Sequence, residues 1–371
     1  MMKLSDYDTP ALVLDMEALE HNIKRMSEYF HGKKATLRAH TKIHKSPFVA
    51  HMQIEAGSKG ITCAKLGEAD VMIQSGIKDV LIANEITSAF KIERLVRLAR
   101  YSDLKVAVDT VDNAKQISSA AKSAGSKVGV LVDVNLGATT DLDGILDRCG
   151  VPPGQEAVNL AKEVSRLDGI ELRGLMGYEG SIFNYRSMKD IDSEARISLC
   201  KQALSHLIET RDLVQDAGMQ VEIVSGGGTM TYDIAGEYPG VTEVQAGMYA
   251  LMDATYRRFG MDFEFAVSIL GRVVSRPRKS KIILDVGGTA ISTDAGLPWV
   301  KNRPDLRVIE VNAEHTHIVT DQPDTNLMVG DVAELLPTDV DTLTCLHDRY
   351  VGVRKGDVEM EIGIPVRGKF Q

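Results

Sequence analysis

The sequence predicts an α/β protein, a (β/α)8 TIM-type barrel followed by a C-terminal β domain. Three observations carry that reading. Short β-branched runs and helical repeats alternate about eight times before Arg258, over roughly the length such a barrel needs. Two small-residue stretches, Ser225-Gly226-Gly227-Gly228-Thr229 and Gly247-Met248-Tyr249, follow the seventh and eighth runs. After Met261 the apolar runs lose their helical spacers. The expected boundaries are residues 16–258 for the barrel and 259–371, joined by 1–15, for the β domain.

The elements are justified in order. Thr9 to Asp15 is a short strand, and Met16 to Phe30 carries Leu19, Ile23 and Met26 at helical spacing. Thr36 to His40 opens the barrel; Ser46-Pro47 then begins a helix, since proline suits a first helical turn. Strands follow at 60–64, 80–83, 104–108, 128–134, 170–176, 220–224 and 241–245, with helices between them stopped by glycines such as Gly57, Gly76, Gly125 and Gly218. Val128 to Val134 is almost wholly apolar, as a strand covered on both faces requires. Residues 137–147 break the rhythm and read as an insertion. Beyond Met261, strands are expected at 266–270, 281–285 and 307–311 and within 348–362.

Composition narrows the function. The chain has 371 residues, 44% hydrophobic and 26% charged, ordinary for a globular protein. A net charge of −9 argues against nucleic acid as a partner. Cys63, Cys149, Cys200 and Cys345 are scattered, which fits reduced thiols in the cytoplasm rather than a disulfide framework. The first residues lack the apolar run of a signal peptide, and no stretch has the length of a membrane span.

Chemistry is expected first at Arg38-Ala39-His40-Thr41-Lys42-Ile43-His44-Lys45. A lysine delivered by a strand end into a βα loop is partly withdrawn from water. Its amine is then able to attack a carbonyl and hold a Schiff base. Both Lys42 and Lys45 meet that description. The glycine run Gly226-Gly227-Gly228, with Ser225 and Thr229, suits a phosphate cradle, because glycine lets backbone N–H groups approach an anion. TIM barrels often bind phosphate after strands seven and eight. A Schiff-base lysine and a phosphate cradle together suit pyridoxal 5′-phosphate (PLP).

At this point the sequence resembles the fold-type III PLP enzymes, and within them the D-threonine aldolase and D-serine dehydratase group. The matching stretches are Asp8 to Asp15, Arg38 to Lys42, Gly67-Glu68-Ala69, Arg148 to Val151, Gly177 to Ser181, Ser225 to Thr229, Gln245 to Tyr249, Leu284 to Gly287 and Glu314-His315. They run nearly the length of the chain. The resemblance implies an alanine racemase-like barrel as N-terminal domain and a homodimer. It implies that Lys42 is the PLP lysine, with Lys45 structural. It implies PLP contacts from His40, Arg148, Tyr178, Ser225, Gly226, Gly227, Gly228, Thr229, Gln245, Gly247 and Tyr249. In relatives that arginine follows the strand closely; here residues 138–147 intervene.

The group's His-x-Asp or His-x-Cys metal pair is replaced by Asp339-Val340-Asp341 after Pro337. Two carboxylates suit Mn²⁺ or Mg²⁺ better than Zn²⁺. His347, beside Asp348, is the expected proton-transfer group. The favoured activity is cleavage of a small D-β-hydroxy-α-amino acid to glycine and an aldehyde. The alternatives are a dehydratase of D-serine or 3-hydroxy-D-aspartate, a racemase, and a non-catalytic PLP carrier, against which the β domain counts.

Overall fold

The computed structural model describes residues 2–139, 148–182, 193–322 and 326–371, so residues 140–147 of the expected insertion lie outside the described residues. The chain divides into two compact units. One takes Met1–Met26, Ile43–Val49 and Met248–Gly368; the other takes Ser27–Lys42, Ala50–Gly247 and Lys369–Gln371. Residues 16–26, 43–49 and 248–258, read from the sequence with the barrel, thus pack with the β unit.

The second unit is the barrel. Its parallel strands are Thr36–Leu37 with Ala39–His40, Ile61–Cys63, Asp79–Glu85, Asp103–Val108, Val128–Asp133, Ile170–Met176, Ile223–Gly226 and Glu243–Val244. Thr36–Leu37 pairs with Glu243–Val244, and Ala39–His40 pairs with Ile61–Thr62. The two short pieces are halves of one strand either side of Arg38, so the strand that begins the ring also closes it. Arg38 donates its N–H to Val244 (2.9 Å), and His40 donates to Ala246 (3.0 Å). The helices between strands end as their sequences dictate. Val111–Ala124, for example, is capped by the Thr110 hydroxyl and stops at Gly125, whose φ of 60° is the left-handed conformation glycine tolerates best.

Alternate residues of a strand face the same side, and in this barrel that rule yields layers. Leu81, Ala107, Leu131, Met176 and Ile223 form an apolar layer. Toward the strand starts lies a chain of charges. Arg38 bonds Glu243 (2.8 Å) and Asp79 (2.6 Å), Lys105 bonds Asp79 (2.9 Å) and Asp103 (2.7 Å), and Arg173 bonds Asp103 (3.2 Å) and Glu222 (2.8 Å). Arg38 and Lys105 are buried, which charges accept only when paired. Burial pushes the Asp79 carboxyl up, but Arg38 and Lys105 together hold it below its ordinary range. Gly129 makes room for this layer: a Cβ there would stand 2.8 Å from the Lys105 stem and 3.2 Å from that of Arg173.

In the β unit, strands run in the order Leu306–Val311, Thr316–Thr320, Lys281–Leu284, Val267–Arg278, Ala11–Asp15, Arg349–Arg354 and Asp357–Gly363. Ala11–Asp15 is antiparallel to Val267–Arg278 and parallel to Arg349–Arg354. Ala11, Val13, Leu270, Val351 and Val353 form its core there. Asp15 then caps the next helix, Met16–Phe30, accepting from the N–H groups of Glu17 and Ala18 (both 3.1 Å). Thr316–Thr320, Val332–Leu336 and Trp299–Val300 are strands that the sequence pattern does not announce.

Candidate active site

TIM barrels place chemistry at the carboxyl ends of their strands, and the expected barrel residues stand at or just after those ends. His40 ends the first strand, on the same side of it as Arg38 but one step further along. Lys42 follows in the turn, half-buried, with its backbone N–H 3.5 Å from His40 Nδ1. Lys45 is different. It is only 5% exposed, belongs to the β unit, and donates its ammonium to the Asp341 carbonyl (2.8 Å) and the Thr344 hydroxyl (3.0 Å). An ammonium engaged in that way is occupied with structure.

Arg148 and Tyr178 come together: the guanidinium lies 5.7 Å from the tyrosine ring centroid, a cation–π distance. Tyr178 keeps 42% of its surface exposed. Its ring lies against two glycines. A Cβ on Gly180 would fall 2.3 Å from the ring and one on Gly228 3.3 Å from it. Arg148 is anchored through its backbone, whose carbonyl accepts from Asn135 Nδ2 (3.3 Å).

The glycine run is less open than its sequence suggests. Ser225 and Gly226 belong to the strand Ile223–Gly226, and the Ser225 hydroxyl accepts from Gln245 Nε2 (2.9 Å), tying the seventh strand to the residues after the eighth. A Cβ on Gly226 would meet the Gly177 carbonyl at 2.8 Å. Gly227 has a φ of 73°, and a Cβ there would meet Val244 at 2.7 Å. The Gly227 N–H donates to the Glu179 carboxylate (2.9 Å) and the Gly228 N–H to the Thr231 hydroxyl (3.1 Å). Thr229 is buried at the end of the run, and Gly247 closes the barrel unit. Tyr249 lies in the β unit, fully buried, its ring 5.8 Å from that of Phe263.

In the β unit, Asp339 caps the short helix Val340–Leu343, accepting from the Thr342 N–H (3.4 Å), and Asp341 sits in the helix's first turn. Sequence reasoning missed their neighbour Asp253. It accepts N–H groups from Tyr256 (2.8 Å) and from Val340, the residue between the two aspartates. Burial pushes its carboxyl up to about 7, with the Asp339 and Asp341 charges adding to the effect. Asp253 thus pins the segment that carries the other two carboxylates, and the charges of Asp339 and Asp341 bear on it. His347 is half-buried and bonds the Ala290 carbonyl through Nε2 (2.7 Å). A carbonyl only accepts, so Nε2 carries the proton and Nδ1 is the basic nitrogen. Burial holds this imidazole below its ordinary pKa.

Sequence reasoning also missed Glu85, Asp133 and Cys149, whose ligand atoms lie within 4.8 Å of one another. Glu85 and Asp133 end the third and fifth strands, and Cys149 follows Arg148. Burial, then the Glu85 charge, holds the Asp133 carboxyl well above its ordinary range; burial and the two acids push the Cys149 thiol up to about 12. No spacing rule joins positions 85, 133 and 149; only the barrel register does.

Residues 14–255 match the family described as alanine racemase, N-terminal domain, and residues 266–353 match a putative serine dehydratase domain. The chain is 35% identical to a 3-hydroxy-D-aspartate aldolase of Paracoccus denitrificans over 99% of its own length and 94% of the relative's. It is 34% identical to a D-threonine aldolase of an Arthrobacter species, over 98% of this chain and 94% of the relative. Among solved structures, D-threonine aldolase from Filomicrobium marinum superimposes with a TM-score of 0.92 at 33% identity, covering 99% of this chain and 98% of the other.

Proposed function

Since the chain belongs to the alanine racemase N-terminal domain family, with a serine dehydratase-type domain behind the barrel, we propose that its residues act as follows. It is a PLP-dependent carbon–carbon lyase, an aldolase that splits D-configured β-hydroxy-α-amino acids into glycine and an aldehyde. The observation that carries this reading is the likeness, over nearly the whole of each chain, to two aldolases of that substrate class at 34% and 35% identity. The dehydratase reading has the match at residues 266–353 in its favour. Against it, an aspartate, Asp341, stands where the dehydratase pattern has a cysteine.

PLP, when bound, supplies the carbonyl that takes up the substrate amine and the ring that accepts the electrons of the broken Cα–Cβ bond. Lys42 is the amine that holds it; the engagement of Lys45 with Asp341 and Thr344 supports that choice. Arg148, stacked on Tyr178, keeps a positive charge beside the site, and the tyrosine face fixes its direction. Ser225, Gln245, Gly247, Gly226 and Thr229 receive the phosphate, around a turn whose shape Gly227 and Gly228 set. Asp339 and Asp341 would hold Mn²⁺ or Mg²⁺, which would polarise the substrate hydroxyl, with Asp253 holding their segment in place. His347, neutral at neutral pH and basic at Nδ1, takes up a proton. The protein is a cytoplasmic homodimer in this reading; Cys63, Cys149, Cys200 and Cys345 are all free thiols, and no helix of the described residues is long and apolar enough to cross a membrane.

The test is product analysis on a panel of D-β-hydroxy amino acids. Glycine and an aldehyde are expected. A 2-oxo acid with ammonia would instead establish the dehydratase, and epimerised substrate the racemase.

A further inference from the structure

Glu179 is fully buried, and its carboxyl group has a donor at each oxygen. Burial holds this carboxyl above its ordinary pKa range, although the Thr231 hydroxyl, the Gly227 N–H and its own N–H pull it back. The donors are specific. One oxygen accepts from the Gly227 N–H at 2.9 Å and the other from the Thr231 hydroxyl at 2.5 Å. The Thr231 oxygen in turn accepts from the Gly228 N–H at 3.1 Å, and the Thr231 N–H returns to the Gly228 carbonyl at 3.1 Å. One side chain therefore fixes both central glycines of the run, directly at Gly227 and through Thr231 at Gly228. Tyr178, the residue before it, flanks Gly228 with its ring.

A backbone N–H bonded to a carboxylate is not offered to a ligand. The amides of Gly227 and Gly228 are thus spent on shaping the turn, in a conformation that Glu179 sets. A buried carboxyl group is tolerated here because both of its oxygens have donors.

We propose that Glu179 is a positioning residue for the cofactor phosphate, acting by holding Gly227 and, through Thr231, Gly228 in the receiving conformation. This rests on the PLP reading above and concerns the phosphate arm alone, not the ring or aldehyde. The test compares PLP with pyridoxal, which has the same ring and aldehyde but no phosphate, by absorbance titration of the full chain stripped of cofactor. Glu179→Ala is expected to weaken PLP by about tenfold or more, because it leaves the Gly227 donor unmet. Pyridoxal affinity should stay the same, so the preference between the two collapses. Glu179→Gln, which keeps an acceptor for Gly227, should retain most of the preference. Thr231→Val, which removes the bridge to Gly228 with little change of volume, should lose part of it, and it carries the test should Glu179→Ala not fold. A wild-type preference that survives in Thr231→Val and, where it folds, in Glu179→Ala overturns the inference. So does a parallel fall in pyridoxal affinity, which marks a general structural defect. Wild-type protein that binds PLP no better than pyridoxal would instead overturn the phosphate reading itself.

Discussion

Lys42 and Lys45 stand three residues apart and meet different environments. Lys42 is half-buried beyond a strand end; Lys45 is buried and bound to Asp341 and Thr344. Borohydride reduction of the holoenzyme followed by peptide mapping should therefore put the pyridoxyl label on Lys42, and a label on Lys45 would reverse the assignment. Lys45→Met should keep cofactor absorbance and lower the melting temperature, since the groups that accept from its ammonium are left unmet at a cost of about 1–3 kcal/mol. The two aspartates make a second residue-scale prediction. Oxygen donors alone hold a divalent ion less tightly than a site with histidine, so EDTA should lower aldolase activity and Mn²⁺ or Mg²⁺ should restore it. Asp341→Ala should abolish that response and leave the Lys42 chromophore intact. Full activity after chelation would assign Asp339-Val340-Asp341 to structure and make His347 the group to study.

At the scale of elements, the ends of the barrel strands bring the buried Asp133 carboxyl against Glu85. The folded-state pKa of Asp133 is raised, first by burial and then by Glu85. The stabilisation it gives is complete below the unfolded value near ~3.9 and fades as pH rises through the folded one. Asp133→Asn removes that loss. Thermal melts should show the variant gaining on the wild type from pH 4 to pH 8, by about 2 °C or more at the upper end; an unchanged gap would mean that folding does not raise the Asp133 pKa. This pair also marks the limit of sequence reading. The strand–helix alternation is written in periodicity, and the first strand end and glycine run in residue type, so the barrel and the neighbourhood of Lys42 could be placed in advance. Glu85 and Asp133 could not, because each looks like an ordinary polar residue at a strand end until the register sets them side by side. Glu179 falls within the stretch Gly177 to Ser181, but nothing in that stretch says that its side chain reaches Gly227 and Thr231. Arg38 belongs to the same class: it reads as one basic residue among several near Lys42, whereas its side chain runs to Glu243 and Asp79 at the starts of other strands.

The whole molecule consists of a barrel unit that contains Lys42, Arg148, Tyr178 and the glycine run, and a β unit that contains Tyr249, Asp339, Asp341 and His347. Resemblance to two-domain fold-type III enzymes leads us to expect a homodimer. Light scattering at micromolar concentration should give twice the chain mass; a monomer with full activity would dispose of that expectation.

The ring-closing strand has a consequence for how the chain comes into being. Thr36 to His40 is made early, but the carboxylate that neutralises Arg38 within the finished barrel, Glu243, lies 205 residues further along. Until Glu243 has left the ribosome, the strand that presents Lys42 has a neighbour on one side only and a guanidinium with half its partners missing. The first barrel strand made is thus the last to be seated, and on the proposed reading cofactor binding at Lys42 is expected only after the other seven barrel strands have been synthesised.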